Sequence, residues 1–328
     1  MPLLRRRPGT RIFFAADLHG STPAWRKFVN AASFYGAEAL VFGGDLMGKA
    51  LVPIVRDGRG RLHAEVAGER LEVEASELGT LTRRIEVAGF YWKVLDGDEH
   101  RAMGADPLLV EGETQELARA RLREWIAFAR ERLDGTGVRV FLTGGNDDPP
   151  AVLDVLSEED DDRIVASEHA VVDLDDEHQM ITVGLSTPTP WDTPREATED
   201  EIARAIAAEV AGVRDVRRSV FNLHCPPKDT ILDRCLKLEV APGELPKPVR
   251  QAGRFVTTGG GSVAVREAVE REQPLVALHG HIHESPGRLK IGRTYCFNPG
   301  SEYQHGRLEG VLLRLDAGRV AAYQHTSG

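Results

Sequence analysis

Cysteine is scarce in this chain. Its 328 residues hold three, Cys225, Cys235 and Cys296. They are too few and too scattered for a disulfide framework, so a reducing, cytoplasmic setting is expected. Long apolar runs are also missing. The stretch "IFFAA" near the basic start is far shorter than a bilayer span and has no small-residue cleavage site after it. Neither a membrane span nor a secretory signal is therefore expected. An excess of positive charge is absent too: 41 Lys and Arg against 51 Asp and Glu leave a net charge of -10. Binding of duplex nucleic acid rests on clustered cations facing phosphates, so that class of partner is disfavoured. No internal repeat or low-complexity tract interrupts the chain.

A hydrophobic content of 41% beside 28% charged residues is enough to bury a substantial core. The pattern within it is a repeated punctuation, in which five apolar runs each stop at metal-competent residues. "IFFAA" precedes Asp17-Leu18-His19, "ALVFGG" precedes Asp45, and "VRVFLTGG" precedes Asn146. "SVFNL" precedes His224, and "PLVAL" precedes His279-Gly280-His281-Ile282-His283. Short runs of Val, Ile, Phe and Leu without alternation suit strands buried on both faces, and open α/β sheets bind ligands beyond the carboxyl ends of such strands.

Helical patterns separate the runs. In "TPAWRKFVNAASFYG", Thr22 is the expected N-cap, Trp25, Phe28, Val29 and Ala32 share a face, and Gly36 is the stop. A second helix is expected from Thr114 to Leu133. A third follows a capping box formed by Thr198 and Glu201, and a short fourth is capped by Ser262. Residues 49–112 differ: "RLHAEV" and "ERLEVE" alternate as half-exposed strands do, with turns at Asp57-Gly58 and Ala67-Gly68. A small β-rich insertion is expected there, a candidate lid over the site. The Pro-rich stretch from Pro227 to Gly253 reads as a long surface loop. Asp98-Glu99-His100 and the acidic run Ser157–Asp162 read as solvated segments. His63, His100, His178 and His325 read as surface histidines, and Cys225 as a structural thiol.

Each chemical fragment is weak alone. Asp45 would more often be a turn residue, and His224 a satisfied interior histidine. Asp17 and His19 are two apart after a buried strand and can share a face. His281 and His283 make a natural chelating pair. The full set in its order resembles the five-part signature of the calcineurin-like metallophosphoesterases. It comprises Asp17-x-His19, Gly44-Asp45, Gly145-Asn146, His224 and Gly280-His281-x-His283. "NPGS" at Asn298–Ser301 matches a turn often seen after the last of these motifs.

The resemblance implies a fold of two packed mixed β-sheets flanked by helices, within a single domain spanning 1–328. It implies that Asp17, His19 and His283 hold one divalent metal ion, that Asp45 bridges to a second, and that Asn146, His224 and His281 complete the second site. Nitrogen and oxygen ligands without thiolate suit Mn, Fe, Zn or Co. The substrate implied is a phosphoester. Against the protein Ser/Thr phosphatases, "GDLMGKA" lacks the Asp-Arg-Gly those enzymes carry, and Gly-His-x-His looks like the phosphodiesterase branch. A catalytically silent metal-binding scaffold is the alternative of a different class.

One departure stands out. Where many members have Gly-Asn-His, this chain has Gly145-Asn146-Asp147. That histidine is the usual candidate for protonating the leaving oxygen or steadying the phosphate. An aspartate beside two cations is expected to be ionised and unable to donate, so diesters or good leaving groups are the expected substrates. Asp148 is expected to orient a ligand histidine or to serve as a loop carboxylate. Asn298 and Ser301 are expected first as turn residues.

Overall fold

The computed structural model describes residues 9–48, 50–66, 68–241 and 246–328. Lys49, where the insertion is expected to begin, and Ala67 of the expected Ala67-Gly68 turn lie outside these residues. So do the basic start, residues 1–8, and Pro242 to Leu245 of the Pro-rich stretch.

The five apolar runs all form strands: Thr10–Ala15, Ala39–Phe42, Arg139–Leu142, Val220–Leu223 and Val276–Leu278. The first three lie parallel in one six-stranded sheet, in the order 319–327, 309–316, 10–15, 39–42, 139–142, 164–166. The other two lie parallel in a second six-stranded sheet, ordered 287–291, 294–298, 276–278, 220–223, 179–183, 172–173. Both sheets are mixed, because antiparallel strands border their parallel centres.

The sheets face each other across a core in which Ile12, Phe14, Val41 and Phe141 meet Met180, Val220, Val276, Leu278 and Phe297. Helices cover the outer faces. Helix α1 (Thr22–Tyr35), α4 (Pro107–Arg132) and α5 (Pro150–Glu158) pack on the first sheet. Helices α6 (Glu199–Val210) and α7 (Val263–Glu272) pack on the second. This is the α/β/β/α sandwich expected. Burial on both faces explains the unbroken apolar runs, each fully buried Leu, Phe or Ile contributing about 1.5–3 kcal/mol. Among the described residues no helix is long and apolar enough to cross a membrane.

Residues 51–95 build a separate four-stranded sheet, ordered 69–73, 62–66, 51–56, 91–95. It has its own small core of Ile54, Leu62, Ala64, Leu81 and Ile85, closed by α2 (Leu78–Val87). The short α3 (Gly97–Ala105) then leads into α4. Buried Arg121 of α4 ties this unit to the main body. Its guanidinium lies 4.4 Å from the Tyr91 ring and donates to the carbonyls of Gly20 (3.1 Å) and Phe90 (3.0 Å).

Several local expectations give way to the structure. Ser21, not Thr22, holds the N-cap position of α1. The expected helix from Thr114 starts seven residues earlier, because Asp106 caps it through the amides of Leu108 (3.0 Å) and Leu109 (3.3 Å) and Pro107 opens it. Asp98-Glu99-His100 is helical rather than a loop, since Asp96 caps the helix and completes a capping box with Glu99. The Pro-rich stretch is a set of short antiparallel pairs, 234–236 with 257–259, 238–239 with 247–248, and 250–251 with 254–255. Among the described residues of the stretch, Pro246 precedes the strand Lys247–Pro248 and Pro248 ends it.

His178, read as a surface residue, is 2% exposed and meets Asp175 at 2.8 Å. Burial opposes ionisation of Asp175. Hydrogen bonds from His178, Thr10 and the Glu177 amide outweigh it and bring the carboxyl down to about 2. A depressed carboxyl contributes stability above its unfolded value near 3.9 and loses it as pH falls through the folded value. Asp175→Ala is therefore expected to cost about 1 kcal/mol at pH 7, discounted for partial solvent screening. Urea unfolding of both proteins from pH 7 to 2 should show the gap closing between about pH 4 and 2.

Candidate metal centre

The carboxyl ends of the central strands of both sheets open onto one edge, and the loops there are bent sharply. Asp17, His19, Asp45 and His281 all lie in the left-handed region, with φ of 58°, 43°, 54° and 66°. Each such residue costs on the order of 1–3 kcal/mol and persists only where its surroundings hold it, a cost that concentrates at functional sites. The glycines between them are sterically required. A Cβ on Gly145 would stand 2.1 Å from Asp45 Oδ1, and one on Gly280 would stand 2.5 Å from Asp17 Oδ2. At Gly44 it would meet His224 Nδ1 at 2.5 Å.

These bends bring the candidate ligands together in two groups that share one residue. Asp17, His19, Asp45 and His283 form one, and Asp45, His224 and His281 form the other, with donor atoms in each group within 4.8 Å of one another. His19 Nε2 lies 3.0 Å from His283 Nε2 and 3.6 Å from Asp45 Oδ2. The other Asp45 oxygen lies 3.4 Å from His224 Nε2. Asn146 Oδ1 joins the second group, 3.0 Å from His224 Nε2 and 2.8 Å from His281 Nδ1. All seven sequence-predicted ligand positions are thus in one place.

The donor set suits a divalent cation. Asp17 and Asp45 are buried carboxylates, and the positive charge facing them comes from histidine. Burial opposes ionisation of Asp45, yet His224, His19 and the Asp147 amide hold its carboxyl well below the usual range. Burial likewise disfavours a charged His224, but Asp45 overrides it and raises the ring to about 9. A site that retains a proton deep in the protein to balance carboxylates fits a metal ion in the proton's stead. The nearby thiol does not compete: burial pushes Cys225 up to about 12, and its Sγ faces the Gly260 carbonyl.

Asp148 departs from the expectation that it orients a histidine. Fully buried, it accepts the amides of Met47 (2.8 Å), Leu46 (2.9 Å) and Gly145 (2.8 Å). It clamps the Asp45 loop to the Asn146 loop through backbone. Burial, then the charge of Asp45, pushes its carboxyl up to about 7. Asp148→Asn would turn an NH2 group toward at least one of these amides. The expected loss is about 1–3 kcal/mol, read by urea or thermal unfolding of the metal-free protein.

Asp147 donates its amide to Asp45 Oδ1 at 2.9 Å and places its carboxylate 3.4 Å from His19 Nδ1. Asn298 and Ser301 serve the loops: Asn298 donates to the Ile282 carbonyl (2.9 Å), and Ser301 Oγ to that of Asp17 (2.6 Å).

Sequence reading missed Thr193 and Glu196. Asn146 Nδ2 donates to Thr193 Oγ1 at 2.9 Å, whose own proton goes to Glu196 Oε1 at 2.8 Å. This chain of donors fixes the carboxamide with its oxygen facing the histidines. Thr193-Pro-Arg-Glu196 carries the Thr-x-x-Glu pattern of a capping box, a signal that could have drawn notice. Thr193→Val is expected to weaken metal binding about 10-fold, while Thr193→Ser retains it, as read by competition with a chromophoric chelator.

A cavity of about 440 Å³ lies over this cluster, bounded by His19, Asn146, His281 and His283, with Lys237, Trp191 and Tyr303 at its walls.

No family model matches the chain. The uncharacterized protein MJ1162 of Methanocaldococcus jannaschii is 30% identical over 122 residues, 37% of this chain and 47% of that protein. The match therefore spans about half the length of this relative. Among solved structures, TT1561 of Thermus thermophilus overlays with a TM-score of 0.54 at 13% identity, covering 98% of both chains. A second crystal structure overlays with a TM-score of 0.57 at 15% identity, again covering 98% of both. What these two structures share with the chain is its fold.

Proposed function

We propose that this chain is a dinuclear metal-dependent phosphoester hydrolase of the calcineurin-like metallophosphoesterase type, acting on phosphodiesters or on esters with good leaving groups. The observation that carries the reading is Asp45, whose two oxygens face separate histidine groups, as a carboxylate shared by two cations would. Asp17, His19 and His283 would hold one ion, Asn146, His224 and His281 the other. When bound, such ions acidify water and stabilise charge on phosphoryl oxygens.

The chain's own groups set the rest. Strand ends fixed by Asp148 and Ser301 hold the ligands in place before substrate arrives, so little reorganisation is needed. Asp147 offers an acceptor where a histidine would offer a proton, so the leaving oxygen must depart without a strong acid beside it. That favours alcohols of low pKa, and it favours diesters, which bring less negative charge against Asp147. Lys237, on the cleft wall, can meet a phosphoryl oxygen. A reducing cytoplasm suits the three free thiols.

The test is reconstitution of metal-free protein with Mn, Fe(II), Zn or Co, followed by assay on bis(4-nitrophenyl) phosphate and 4-nitrophenyl phosphate. Two equivalents of metal per chain and faster diester turnover are expected. One equivalent at saturation would sink the dinuclear reading, and hydrolysis of neither ester with any metal would sink the enzyme reading.

A further inference from the structure

His224 and His281, both in the second candidate group, follow neighbouring parallel strands of the second sheet. Strand Val220–Leu223 ends directly before His224, and Val276–Leu278 ends shortly before His281. The paired register stops at Asn222 and Leu278. Past that point the two ligand-bearing loops are held to each other by other means.

His279 supplies them. It is fully buried, and its ring Nδ1 lies 2.8 Å from the Leu223 carbonyl oxygen and 3.2 Å from that of Cys225. Carbonyl oxygens only accept, so Nδ1 carries the proton and one N–H serves both. Those two carbonyls flank His224. The carbonyl of His224 accepts the Gly280 amide at 2.9 Å, and its amide donates to the Val183 carbonyl at 3.0 Å. Two consecutive residues, His279 and Gly280, thus grip the carbonyls of Leu223, His224 and Cys225. His279 is anchored in turn, its amide donating to the Phe297 carbonyl at 2.8 Å.

The same short segment carries the other ligand. The His281 amide donates to Asp17 Oδ1 at 2.9 Å, and the His281 ring centroid lies 5.4 Å from that of His224. The His224 ring is turned by its own contact, Nδ1 lying 2.8 Å from the Gly43 carbonyl. A ligand whose backbone and ring are both held loses less freedom when an ion binds, so groups outside the ligand set tune affinity.

We infer that His279 is a positioning residue for the second metal site: its Nδ1–H ties the loop of His224 to the loop of His281 and fixes the spacing of those two ligands. The inference rests on the metal-centre reading above and adds to it a residue outside the ligand set.

The test titrates Zn(II) into metal-free full-length protein against a chromophoric chelator. The proteins are the wild type, His279→Leu, His279→Asn and His279→Gln, together with His224→Ala and its combination with His279→Leu. Leucine removes the donor at similar bulk. Asparagine carries an amide nitrogen where Nδ1 stood, and glutamine carries it one carbon further out. His279→Leu should weaken one equivalent of zinc by about 10- to 100-fold and leave the other nearly unchanged. His279→Asn should recover most of that loss, and His279→Gln little of it. With His224 already replaced by alanine, His279→Leu should shift the remaining affinity by no more than about twofold.

Unchanged affinity in all three variants would overturn the inference. Equal weakening of both equivalents without recovery in asparagine would overturn it too, making His279 a general prop of the fold. So would the same loss with and without His224, since the effect would not pass through that ligand. If circular dichroism shows the leucine variant unfolded, the asparagine and glutamine variants decide, and equal affinities or tighter binding by glutamine overturn the inference. A wild type that takes up zinc and hydrolyses no ester loses the activity reading while this one stands. Uptake of a single ion sinks the dinuclear reading, and the dependence of that ion on His279 through His224 still decides. Uptake of no zinc overturns both.

Discussion

Asp45→Ala is expected to lower kcat/KM for any phosphodiester by about 10³-fold or more, the equivalent of the several kcal/mol that metal-held charge stabilisation supplies. The size follows from the position of one side chain. Asp45 is 2% exposed and is the sole residue common to both candidate metal groups. Its Oδ2 faces His19 at 3.6 Å, its Oδ1 faces His224 at 3.4 Å, and Oδ1 also accepts the Asp147 amide at 2.9 Å.

On the dinuclear reading, removing the carboxylate would take a negative charge from between two cations that otherwise repel each other, so at most one should remain. Bound metal, measured by plasma mass spectrometry after dialysis, should fall from two equivalents to one or fewer. The substitution also leaves the Asp147 amide without its acceptor, so the loop carrying Asn146 loosens at the same time. Full activity with one metal, or two metals retained by the alanine variant, would show that Asp45 does not bridge.

Asp147→His is the second large effect, and its sign depends on the substrate. The backbone amide of residue 147 keeps its bond to Asp45 whatever the side chain, so the substitution leaves that contact in place. Asp147 lines the cavity over the metal cluster, so an imidazole in its place would face that space. On the phosphoesterase reading, a histidine there would introduce a donor beside the leaving oxygen and remove an anion from the path of the phosphoryl group. General acids typically contribute about 10²–10⁴-fold, and they contribute most where the departing alcohol is a poor leaving group.

The expected result is a gain of about 10² on alkyl esters, with little change on 4-nitrophenyl esters, at the lower end because the imidazole is not evolved for its position. Plotted against leaving-group pKa, log kcat should show a shallower slope in the variant. The same factor at every leaving group would mean that the aspartate acts on binding or charge alone. Loss of activity throughout would show that the carboxylate 3.4 Å from His19 Nδ1 is needed to hold that ring.

The sequence and the structure speak to different parts of this site. Runs such as "IFFAA" and "VRVFLT" announce strands buried on both faces, because burial on both sides demands continuous apolar residues wherever the partner strands come from. Glycines before Asp45, Asn146 and His281 announce tight approach, because a Cβ at those positions would strike a ligand side chain. Helix starts at Thr198 and Ser262 are legible because a cap is a contact within four residues. Strand Gln179–Val183, fully buried, escapes notice because "QMITV" lies between polar residues and ends at no metal-competent side chain. His178 likewise reads as a surface residue until its contact with the Asp316 carbonyl, 138 residues away, is seen.

The chain alone determines which residue types follow each strand and in what order, since those are local facts of pattern and spacing. Tertiary structure decides what each one touches. It directs Asp148 to three backbone amides rather than to a histidine, and it turns Asn146 by way of Thr193, 47 residues on. It also sets the inserted segment against α4, so that Leu51, Val110 and Asp147 border one cavity of about 550 Å³. Each of these rests on contacts between segments tens to hundreds of residues apart. No periodicity or turn signal encodes such a contact, because its free energy exists only once both sheets have packed.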